Sequence, residues 1–390
     1  MSKYSEKGSG IKKRVLLGLP LPPPYSGAEK MADIILKSRI TKEFDCIHID
    51  ASNKQRTNLE RGCVNLANVT ASTKISWEIF KLLSRKRVEL ANLPLNCTKI
   101  GYLKYFLMLF PCVISRTKVV SRLGASHFDK FYISQDPVFQ SFIRWSLKHV
   151  DCIMVRGENQ KTQLRGIYKG RVECVYVPST GVRQDGRQRN YDLRSKKEIN
   201  VLHVGHFSHA KGAYDLLRAI PHILATDQKY RFHFVGDIVM KERNILHLRN
   251  EKFDVKRFIK ENNLGPFITL YGHLNYEDKE RRFKDADLFV FPSYSEGSPF
   301  AVIEAMEFGL PVIATKVGNL PEIFENEKNV LYVDFNSPSQ IKDAILKVMN
   351  KPELSHEMVL NNFKILQGLL SLERYEKRMI EIFQSVCEAN

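Results

Sequence analysis

Several signatures of other protein classes are missing from this sequence. Its seven cysteines stand at 46, 63, 97, 112, 152, 174 and 387, with no Cys-x-x-Cys pair. That scatter argues against a zinc site and a disulfide framework, and it favours a reducing compartment. No apolar run reaches the roughly 18 residues that a membrane span requires. The first apolar run, residues 15–19, is too short for a secretory signal, so we expect a cytoplasmic protein.

The sequence has a large excess of positively charged residues. Across 390 residues the formal net charge is +17, and 43% of the residues are hydrophobic. A chain of this length and apolar content can bury two cores, so two domains are expected. The charge suits a nucleic acid, an anionic membrane or a phosphorylated substrate. Because the sequence has no C2H2 spacing, RNP-like aromatic pattern or long basic tail, we expect no nucleic-acid partner.

The most informative stretch lies around Glu296. Residues 288–291 form a continuous apolar run, which is typical of a parallel strand covered on both faces. Ser298 suits a helix N-cap and Pro299 the first helical position, so a helix is predicted to begin there and to end at Gly309. Glu296 is therefore expected at the carboxyl end of a strand, beside a helix N-terminus. In open α/β sheets, ligands bind at that position.

The two glutamates of this stretch are expected to play different roles. Gly297 and Ser298 leave the backbone beside Glu296 open, and the first N–H groups of a helix attract an anion such as phosphate. Glu304 follows Phe300 by four residues, so its carboxylate lies along an apolar helical stripe. A buried carboxylate needs hydrogen-bond partners, and two sugar hydroxyls would serve. The alternative is a solvated glutamate at the edge of a core helix.

Residues 296–322, E-G-S-P-F-A-V-I-E-A-M-E-F-G-L-P-V-I-A-T-K-V-G-N-L-P-E, closely resemble the donor-site signature of glycosyltransferase family 4, the retaining GT-B enzymes. The resemblance extends at lower density from Arg14 to the end of the sequence. It implies that Glu296 contacts the transferred sugar and that Glu304 holds the ribose hydroxyls of the nucleotide. It also implies a metal-independent enzyme with no cofactor and a nucleotide-sugar donor as substrate. Further donor contacts are implied for Gly297, Ser298, Pro299, Phe300 and Ala301.

A second motif begins with the predicted strand that ends at Gly205. There the sequence resembles the family pattern G-R-x-x-x-x-K-G, which assigns Lys211 to the donor diphosphate. A fixed lysine stabilises the charge that builds on the departing diphosphate, and losing one such donor costs ~3 kcal/mol of barrier. The alternative is a solvated loop lysine. His206 replaces the usual arginine, and a neutral imidazole is a weaker phosphate partner than guanidinium.

Strands and helices alternate along the chain, as in doubly wound sheets. With the resemblance, this predicts an α/β GT-B fold of two doubly wound Rossmann-like domains that face each other across a cleft. Residues 1–190 are the expected acceptor-side domain, joined by a C-terminal helix at 371–390, and residues 191–370 are the expected nucleotide-sugar domain. The polar stretch 181–195 is the expected linker. Further predicted strands cover residues 14–20, 118–123, 130–134, 150–156, 174–178, 232–238, 267–274 and 312–315.

The first domain supplies fewer candidates. Gly27 follows a proline-rich loop, and the resemblance implies that its backbone approaches the donor phosphates; a simple turn is the alternative. The His-x-His-Gly segment of many family members is replaced by S-R-L-G-A-S-H-F, which leaves Arg122 and His127 nearby. Asp136 follows a glutamine where the family often has His-Asp. Arg122 and Asp136 are therefore the acceptor-side candidates.

The segment 98–122 combines about ten apolar residues with lysine and arginine flanks. Such a segment is either an ordinary core helix or an element that lies in a membrane interface. The basic flanks favour peripheral contact with an anionic membrane on its inner face. Together these observations predict a retaining glycosyltransferase that moves a sugar to a glycan or lipid-linked acceptor in cell-surface polysaccharide synthesis.

Three rival interpretations stay open, one of them a basic nucleic-acid-binding protein, which would show steeply salt-dependent binding. The D-A-D triplet at 285–287 resembles the metal motif of GT-A glycosyltransferases, which bind Mg²⁺ or Mn²⁺ through carboxylates. It precedes a predicted strand, whereas that chemistry needs carboxylates at a strand's carboxyl end, so we interpret it as a turn without a metal. The missing histidines also suit a non-catalytic nucleotide-sugar-binding subunit.

Overall fold

The computed structural model describes residues 12–21, 27–52, 66–183, 189–238 and 253–389. They divide into two compact units. The first unit takes the chain up to Val155, Lys161–Val175 and the residues from Glu376 onwards. The second unit takes Arg156–Gln160 and Tyr176–Tyr375. The predicted α/β class with two Rossmann-like domains is confirmed, because each unit holds its own six-stranded parallel sheet.

The sheet of the first unit has the strand order β2-β1-β3-β4-β5-β6. Its strands are β1 (Arg14–Leu19), β2 (Asp45–Asp50), β3 (Leu90–Leu95), β4 (Lys118–Leu123), β5 (Cys152–Val155) and β6 (Arg171–Cys174). Its helices are α1 (Gly27–Lys37), α2 (Ile40–Glu43), α3 (Leu66–Arg85), α4 (Lys99–Ile114), α5 (Phe128–Ile133) and α6 (Pro137–Leu147), with α7 (Glu158–Thr162) beginning in the second unit. The inner strands are apolar on both faces because helices cover both sides of the sheet.

Two predicted strands of this unit are wrong. The predicted strand at 174–178 shares only Cys174 with β6, and the chain enters the second unit at Tyr176. Residues 130–133 belong to the helix α5, in which Phe128, Phe131 and Tyr132 are buried. Their spacing of three and four residues places the three rings on one face of a helix. The aromatic composition of the segment favours a strand, but the spacing of its buried residues is helical.

The sheet of the second unit has the order β12-β11-β10-β7-β8-β9. Its strands are β7 (Ile199–Val204), β8 (Tyr230–Val235), β9 (Ile268–Leu270), β10 (Leu288–Phe291), β11 (Val312–Thr315) and β12 (Leu331–Val333). Its helices are α8 (Ala213–Leu224), α9 (Val255–Glu261), α10 (Tyr276–Asp285), α11 (Phe300–Glu307), α12 (Leu320–Ile323), α13 (Pro338–Asn350) and α14 (Pro352–Gln367). The strand order reverses direction between β7 and β10, which pair in parallel with Val201 opposite Leu288. Loops that leave such a neighbouring pair form the ligand-binding crevice of open α/β sheets.

The chain enters the second unit earlier than the expected boundary at 190. Ser179 already donates its N–H to the carbonyl oxygen of Leu370 at 2.7 Å. The predicted linker is also fixed to this unit where the structure describes it. The Arg189 guanidinium donates to backbone carbonyl oxygens that include those of Ala286 and Phe308. Residues 184–188 of the predicted linker lie outside the described residues.

The last helix, α15 (Leu372–Glu388), belongs to the first unit from Glu376 onwards. Glu376 accepts a hydrogen bond from the backbone N–H of Arg39 at 2.9 Å. The Phe383 ring lies edge-on to Phe44, with 5.7 Å between centroids. The contact between the Phe44 and Phe383 rings and the hydrogen bond at the start of α2 therefore hold α15 against the first unit.

The helix α4 resolves part of the uncertainty over the segment 98–122. Tyr102, Tyr105 and Leu109 are fully buried, so α4 is a core helix. Its other face exposes large apolar side chains, among them Phe110 and Ile114. Within the described ranges, every helix falls short of the length or apolar character that crossing a bilayer would need.

Candidate functional site

Two loops meet where the second sheet reverses its strand order. Lys211 lies on the loop after β7, and Glu296 lies on the loop after β10. The Lys211 Nζ atom is 2.5 Å from Glu296 Oε1, and their side chains are 29% and 13% exposed. Ser293 Oγ lies 3.1 Å from Glu296 Oε1 and equally far from the carbonyl oxygen of Ala210. Neighbouring parallel strands thus bring a lysine and a glutamate from distant motifs into one partly buried ion pair.

Glycines allow these loops to approach each other. Gly212 has a φ of +67°, and a Cβ atom there would lie 1.9 Å from the carbonyl oxygen of Pro292. Gly318 has a φ of +57°, and its Cβ would lie 2.5 Å from the carbonyl oxygen of Gly297. Any other residue would clash with backbone and strain its own conformation. Gly212 therefore sets the Lys211 loop against the exit of β10, and Gly318 sets the loop after β11 against the Glu296 turn.

The helix beside Glu296 starts one residue later than predicted. Pro299 has extended backbone angles and occupies the cap position, and α11 begins at Phe300. The predicted N-cap role of Ser298 is therefore wrong, because its side chain stands one residue too far from the first turn. Ser298 is buried, and its Oγ atom has no hydrogen-bond partner in the described part of the chain. Within the described part of the chain, no side-chain hydrogen bond caps α11 at Pro299, and a helix N-terminus attracts an anionic ligand.

The second motif glutamate is buried and paired. Glu304 is 5% exposed, which rules out the solvated-edge interpretation. Its Oε1 atom lies 2.8 Å from Lys279 Nζ of α10. Lys279 is not marked by any sequence motif, because a single lysine on a highly charged helix gives no signal of its own.

A third glutamate of α11 has a different set of contacts. Glu307 is 1% exposed, and its carboxylate accepts hydrogen bonds from Ser179 Oγ at 2.8 Å and from the N–H of Thr180 at 2.5 Å. Thr180 Oγ1 lies 3.1 Å from both of its oxygens. Glu307 thus fixes the segment through which the chain enters the second unit.

The remaining second-unit candidates surround the ion pair. Gly205 ends β7 and donates its N–H to the carbonyl oxygen of Val235 at 2.9 Å, and His206 follows it. Phe300 and Ala301 open α11 and pack partly against the buried core beneath it. These positions share the edge of the sheet that carries Lys211, while their predicted contacts with a donor stay predictions.

A buried histidine lies next to Lys211. His203 is fully buried, and its Nδ1 atom lies 3.0 Å from the carbonyl oxygen of Val290. Burial lowers the pKa of His203 to about 4, and the Lys211 ammonium adds to this, although the hydrogen bond to Val290 acts in the opposite direction. At neutral pH the ring is therefore neutral and donates its Nδ1 proton to Val290. Sequence reasoning did not identify this residue, because a histidine inside a strand is usually packing.

The first-unit candidates have structural contacts of their own. Gly27 is the first residue of α1. Arg122 on β4 donates from Nη2 to the carbonyl oxygen of Gly18 at 3.0 Å. Asp136 caps α6 by accepting from the N–H of Phe139 at 2.9 Å, and it also pairs with a lysine. These residues belong to the first unit, and their acceptor-side roles stay predictions.

The Asp-Ala-Asp triplet lies at the amino end of β10. Asp287 Oδ1 is 2.6 Å from Lys196 Nζ, and its Oδ2 atom accepts from the N–H of Asn200 at 3.0 Å. These contacts join the starts of β7 and β10. Among the residues that the structure describes, no group of three or more His, Cys, Asp or Glu side chains is arranged to hold a metal ion.

Comparisons with known proteins agree with this architecture. Residues 185–364 match the family model "Glycosyl transferases group 1". An uncharacterized glycosyltransferase of Methanocaldococcus jannaschii is 28% identical over 214 residues, which cover 55% of this chain and 54% of that protein. An uncharacterized protein in the cps region of Klebsiella pneumoniae is 27% identical over 231 residues, or 56% of this chain and 58% of that protein. The chain thus matches little more than half the length of these curated relatives.

Solved structures are similar over almost the whole chain. Sucrose-phosphate synthase from Thermosynechococcus elongatus has a TM-score of 0.69 at 17% identity, covering 97% of this chain and 100% of that one. Anabaena HepE, solved in complex with UDP and glucose, has a TM-score of 0.68 at 15% identity, covering 96% and 100%. At such identities these likenesses establish the fold, which is the two-domain α/β fold of GT-B proteins. The residues that match the family model include the Lys211–Glu296 pair.

Proposed function

We propose that this protein is a retaining glycosyltransferase that moves a sugar from a nucleotide-sugar donor to a glycan or lipid-linked acceptor. The observation that carries this proposal is the Lys211–Glu296 ion pair where β7 and β10 end side by side. A cation and a carboxylate meet there, beside the N-terminus of α11. A sugar diphosphate presents a matching set of groups, since its phosphates are anionic and its ring carries hydroxyls.

Each side chain has a defined task in this proposal. When the anomeric bond breaks, negative charge develops on the departing diphosphate, and the fixed Lys211 ammonium stabilises it. Glu296 accepts hydrogen bonds from the transferred sugar and holds the ammonium in place. The acceptor oxygen bonds to the anomeric carbon as the bond to the diphosphate breaks, and the hydroxyl proton passes to an oxygen of the leaving diphosphate, so the reaction needs no side-chain base. Because the Lys211 ammonium stabilises the diphosphate charge, the proposed reaction uses no metal or cofactor. Glu304 accepts the ribose hydroxyls.

The donor and acceptor classes have separate support. HepE was solved with UDP and glucose, and the similar TarM with UDP and a glycerol-linked sugar, which makes UDP-sugars the first donors to test. For the acceptor, the support is a surface of the first unit. Three of its helices expose large apolar side chains, a feature typical of proteins that contact lipid. A lipid-linked glycan at the inner face of a membrane suits such a surface.

This surface, the apolar basic face, is built from α3, α4 and α6. Ser76 Oγ donates to the carbonyl oxygen of Leu107 at 2.6 Å and joins α3 to α4, while Phe106 and Trp145 join α4 to α6 with 5.8 Å between centroids. Its exposed apolar residues are Trp77, Phe80, Leu103, Phe110, Ile114 and Trp145.

The charges on these helices are complementary to an anionic bilayer. The helices α3, α4 and α6 carry three, two and one basic residues, respectively, and α3 carries one glutamate. Lys81 Nζ lies 5.5 Å from the centre of the Trp77 ring, which itself stacks on Phe80. Aromatic rings flanked by lysines are suited to the headgroup region of a membrane that contains acidic lipids.

Turnover tests the proposed function. Purified protein is screened against UDP-, GDP- and ADP-sugars by thermal shift, since a ligand of the native state raises the apparent melting temperature. The donor that stabilises it is then incubated with lipid-linked oligosaccharide in acidic-lipid vesicles, with and without EDTA. We expect release of nucleoside diphosphate, a product with the donor's anomeric configuration, and a rate that EDTA leaves unchanged. Binding without release would identify a non-catalytic nucleotide-sugar subunit, and loss of the rate with EDTA would contradict metal independence.

A further inference from the structure

A short segment after β5 is built into the second unit. Residues Arg156–Gln160 belong to that unit although β5 lies in the first. The Glu322 carboxylate accepts hydrogen bonds from the N–H groups of Glu158 and Asn159, each at 2.7 Å. Two charge-assisted hydrogen bonds at the start of α7 therefore hold this segment on the short helix α12.

Asn319 connects the segment to the Glu296 turn. Its side-chain amide donates to the carbonyl oxygen of Arg156 at 2.7 Å, and its own N–H donates to the carbonyl oxygen of Gly297 at 3.2 Å. Asn319 is 3% exposed, so both bonds are protected from water. A Cβ atom on Gly157 would lie 2.8 Å from Asn319 Cβ, which shows how closely the two loops approach. Asn319 thus links the backbone of Arg156 to the backbone of Gly297, which is next to Glu296 in the sequence.

The Arg156 guanidinium interacts electrostatically with the Glu296 carboxylate. Burial lowers the pKa of Arg156, while Tyr375 and the Glu296 carboxylate act in the opposite direction. A guanidinium stays charged under all physiological conditions. The Glu296 carboxylate therefore interacts with two cations, with Lys211 in direct contact and with Arg156 through a longer-range attraction. These three groups together carry one positive charge that a bound anion would balance.

We propose that Arg156 is a diphosphate-binding residue that acts with Lys211 on the nucleotide-sugar donor. This inference rests on the proposed function. A planar guanidinium can bind two phosphate oxygens at once, whereas the Lys211 ammonium acts as a point charge. In the free protein Glu296 pairs with Lys211, and the donor's phosphates compete for that ammonium when they bind.

The test compares UDP with uridine, which lacks the phosphates. Dissociation constants are measured for the full-length protein and for Arg156→Gln, Arg156→Lys and Arg194→Gln. Arg194 is the control, because its exposed guanidinium pairs with Asp192 in the same unit, so its loss changes the net charge equally. We expect Arg156→Gln to weaken UDP binding at least tenfold and uridine binding less than threefold. Arg156→Lys should recover part of the loss, and Arg194→Gln should bind UDP as the parent does.

The outcomes separate the inference from the proposed function. If the parent protein binds UDP and Arg156→Gln binds it equally well, the inference is overturned while the proposed function stands. An equal loss for UDP and uridine would also overturn it, since that pattern indicates a structural role. If the parent binds none of UDP, GDP and ADP, the proposed function fails and the inference falls with it. If Arg156→Gln does not fold, the dissociation constants for UDP and uridine are measured on Arg156→Met, which keeps an apolar side chain.

Discussion

Lys211 and Glu296 are 85 residues apart in the sequence, yet their charged atoms lie 2.5 Å apart. The strand order explains the contact, because β7 and β10 are neighbours and both loops leave the same edge of the sheet. In the free protein each side chain is the other's counterion. A diphosphate must therefore compete with Glu296 for the ammonium, and the carboxylate that it displaces becomes available to sugar hydroxyls.

Removing either member of this pair should abolish most of the activity. We expect Glu296→Gln and Lys211→Met each to lower kcat by about 10²–10³-fold, the usual effect of losing one preorganised charge stabiliser. The double variant should be no more than about tenfold slower than either single variant, because residues in contact act as a unit. Initial rates of nucleoside diphosphate release measure all three variants.

A control for this experiment is available at the amino end of the same strand. Lys196 and Asp287 also pair at 2.6 Å, but they join the starts of β7 and β10 rather than their ends. Lys196→Met should therefore leave kcat within about threefold of the parent if it stays folded. Near-parental rates in Glu296→Gln or Lys211→Met would remove the site assignment.

Variants of the Lys279–Glu304 pair can distinguish an effect on stability from an effect on donor binding. Lys279→Met leaves the buried Glu304 carboxylate without its lysine, and we expect the free energy of unfolding to fall by about 2 kcal/mol. Glu304→Gln in the same protein removes the carboxylate's charge and should recover most of that loss. The double variant should nevertheless keep a weakened affinity for the nucleotide donor, because the ribose acceptor is still missing. Chemical denaturation and donor KM measure the two effects, and parental KM in the double variant would contradict the role of Glu304.

Glu307, one helical turn further along, should behave differently from Glu304. Glu307→Gln loses charge-assisted hydrogen bonds to Ser179 and Thr180, so we expect a loss of about 2 kcal/mol in unfolding free energy. Donor KM should change less than about threefold, since Glu307 is 1% exposed and its contacts are internal. Glu325→Gln is the matched control, because Glu325 pairs with Lys328 on the surface and should cost under about 0.5 kcal/mol. A large rise in KM with unchanged stability would place Glu307 in the binding site.

Buried parallel strands were the part of the fold that could be predicted most accurately. β4, β10 and β11 have the predicted bounds, because an apolar run that ends in glycine, proline or charge marks both ends of such a strand. The helix α5 was predicted as a strand, since its aromatic residues outweighed a short helical period. The observed start of α11 differs from the predicted start by one residue, because the backbone of Pro299 is extended rather than helical.

Only the site residues that lie in sequence motifs could be predicted. Lys211 and Glu296 stand in recognisable patterns, and the adjacency of their strands followed from the expected fold. Lys279 and Arg156 stand in no pattern, and they join the site through helix packing and through the side chain of Asn319. Contacts of this kind depend on where separate elements meet, and that information is not contained in any single segment of the sequence.

His203 should make stability depend on pH. Its pKa falls from the ordinary 6.5 to about 4 on folding, so between these values the unfolded state binds more protons than the folded state. Stability is therefore complete above pH 6.5 and is lost as the pH falls towards 4, by about 3 kcal/mol in all. His203→Phe should flatten this part of the curve, whereas His222→Gln, which removes an exposed histidine, should not. Urea unfolding at a series of pH values measures the slopes, and equal slopes for the parent and His203→Phe would contradict the assignment.

The apolar basic face can be tested with the protein's own fluorescence. The chain has two tryptophans, Trp77 and Trp145, which are 56% and 48% exposed and both lie on this face. Vesicles rich in phosphatidylglycerol should shift the emission maximum to shorter wavelength, because the indole rings leave water for the headgroup region. Phosphatidylcholine vesicles or about 1 M salt should suppress the shift, since screening at that salt concentration removes the attraction to acidic lipid. Phe110→Ser should weaken vesicle binding, while Leu360→Ser, an equally exposed position on the second unit, should not. An emission maximum that stays unchanged with acidic vesicles would exclude this face as the membrane contact.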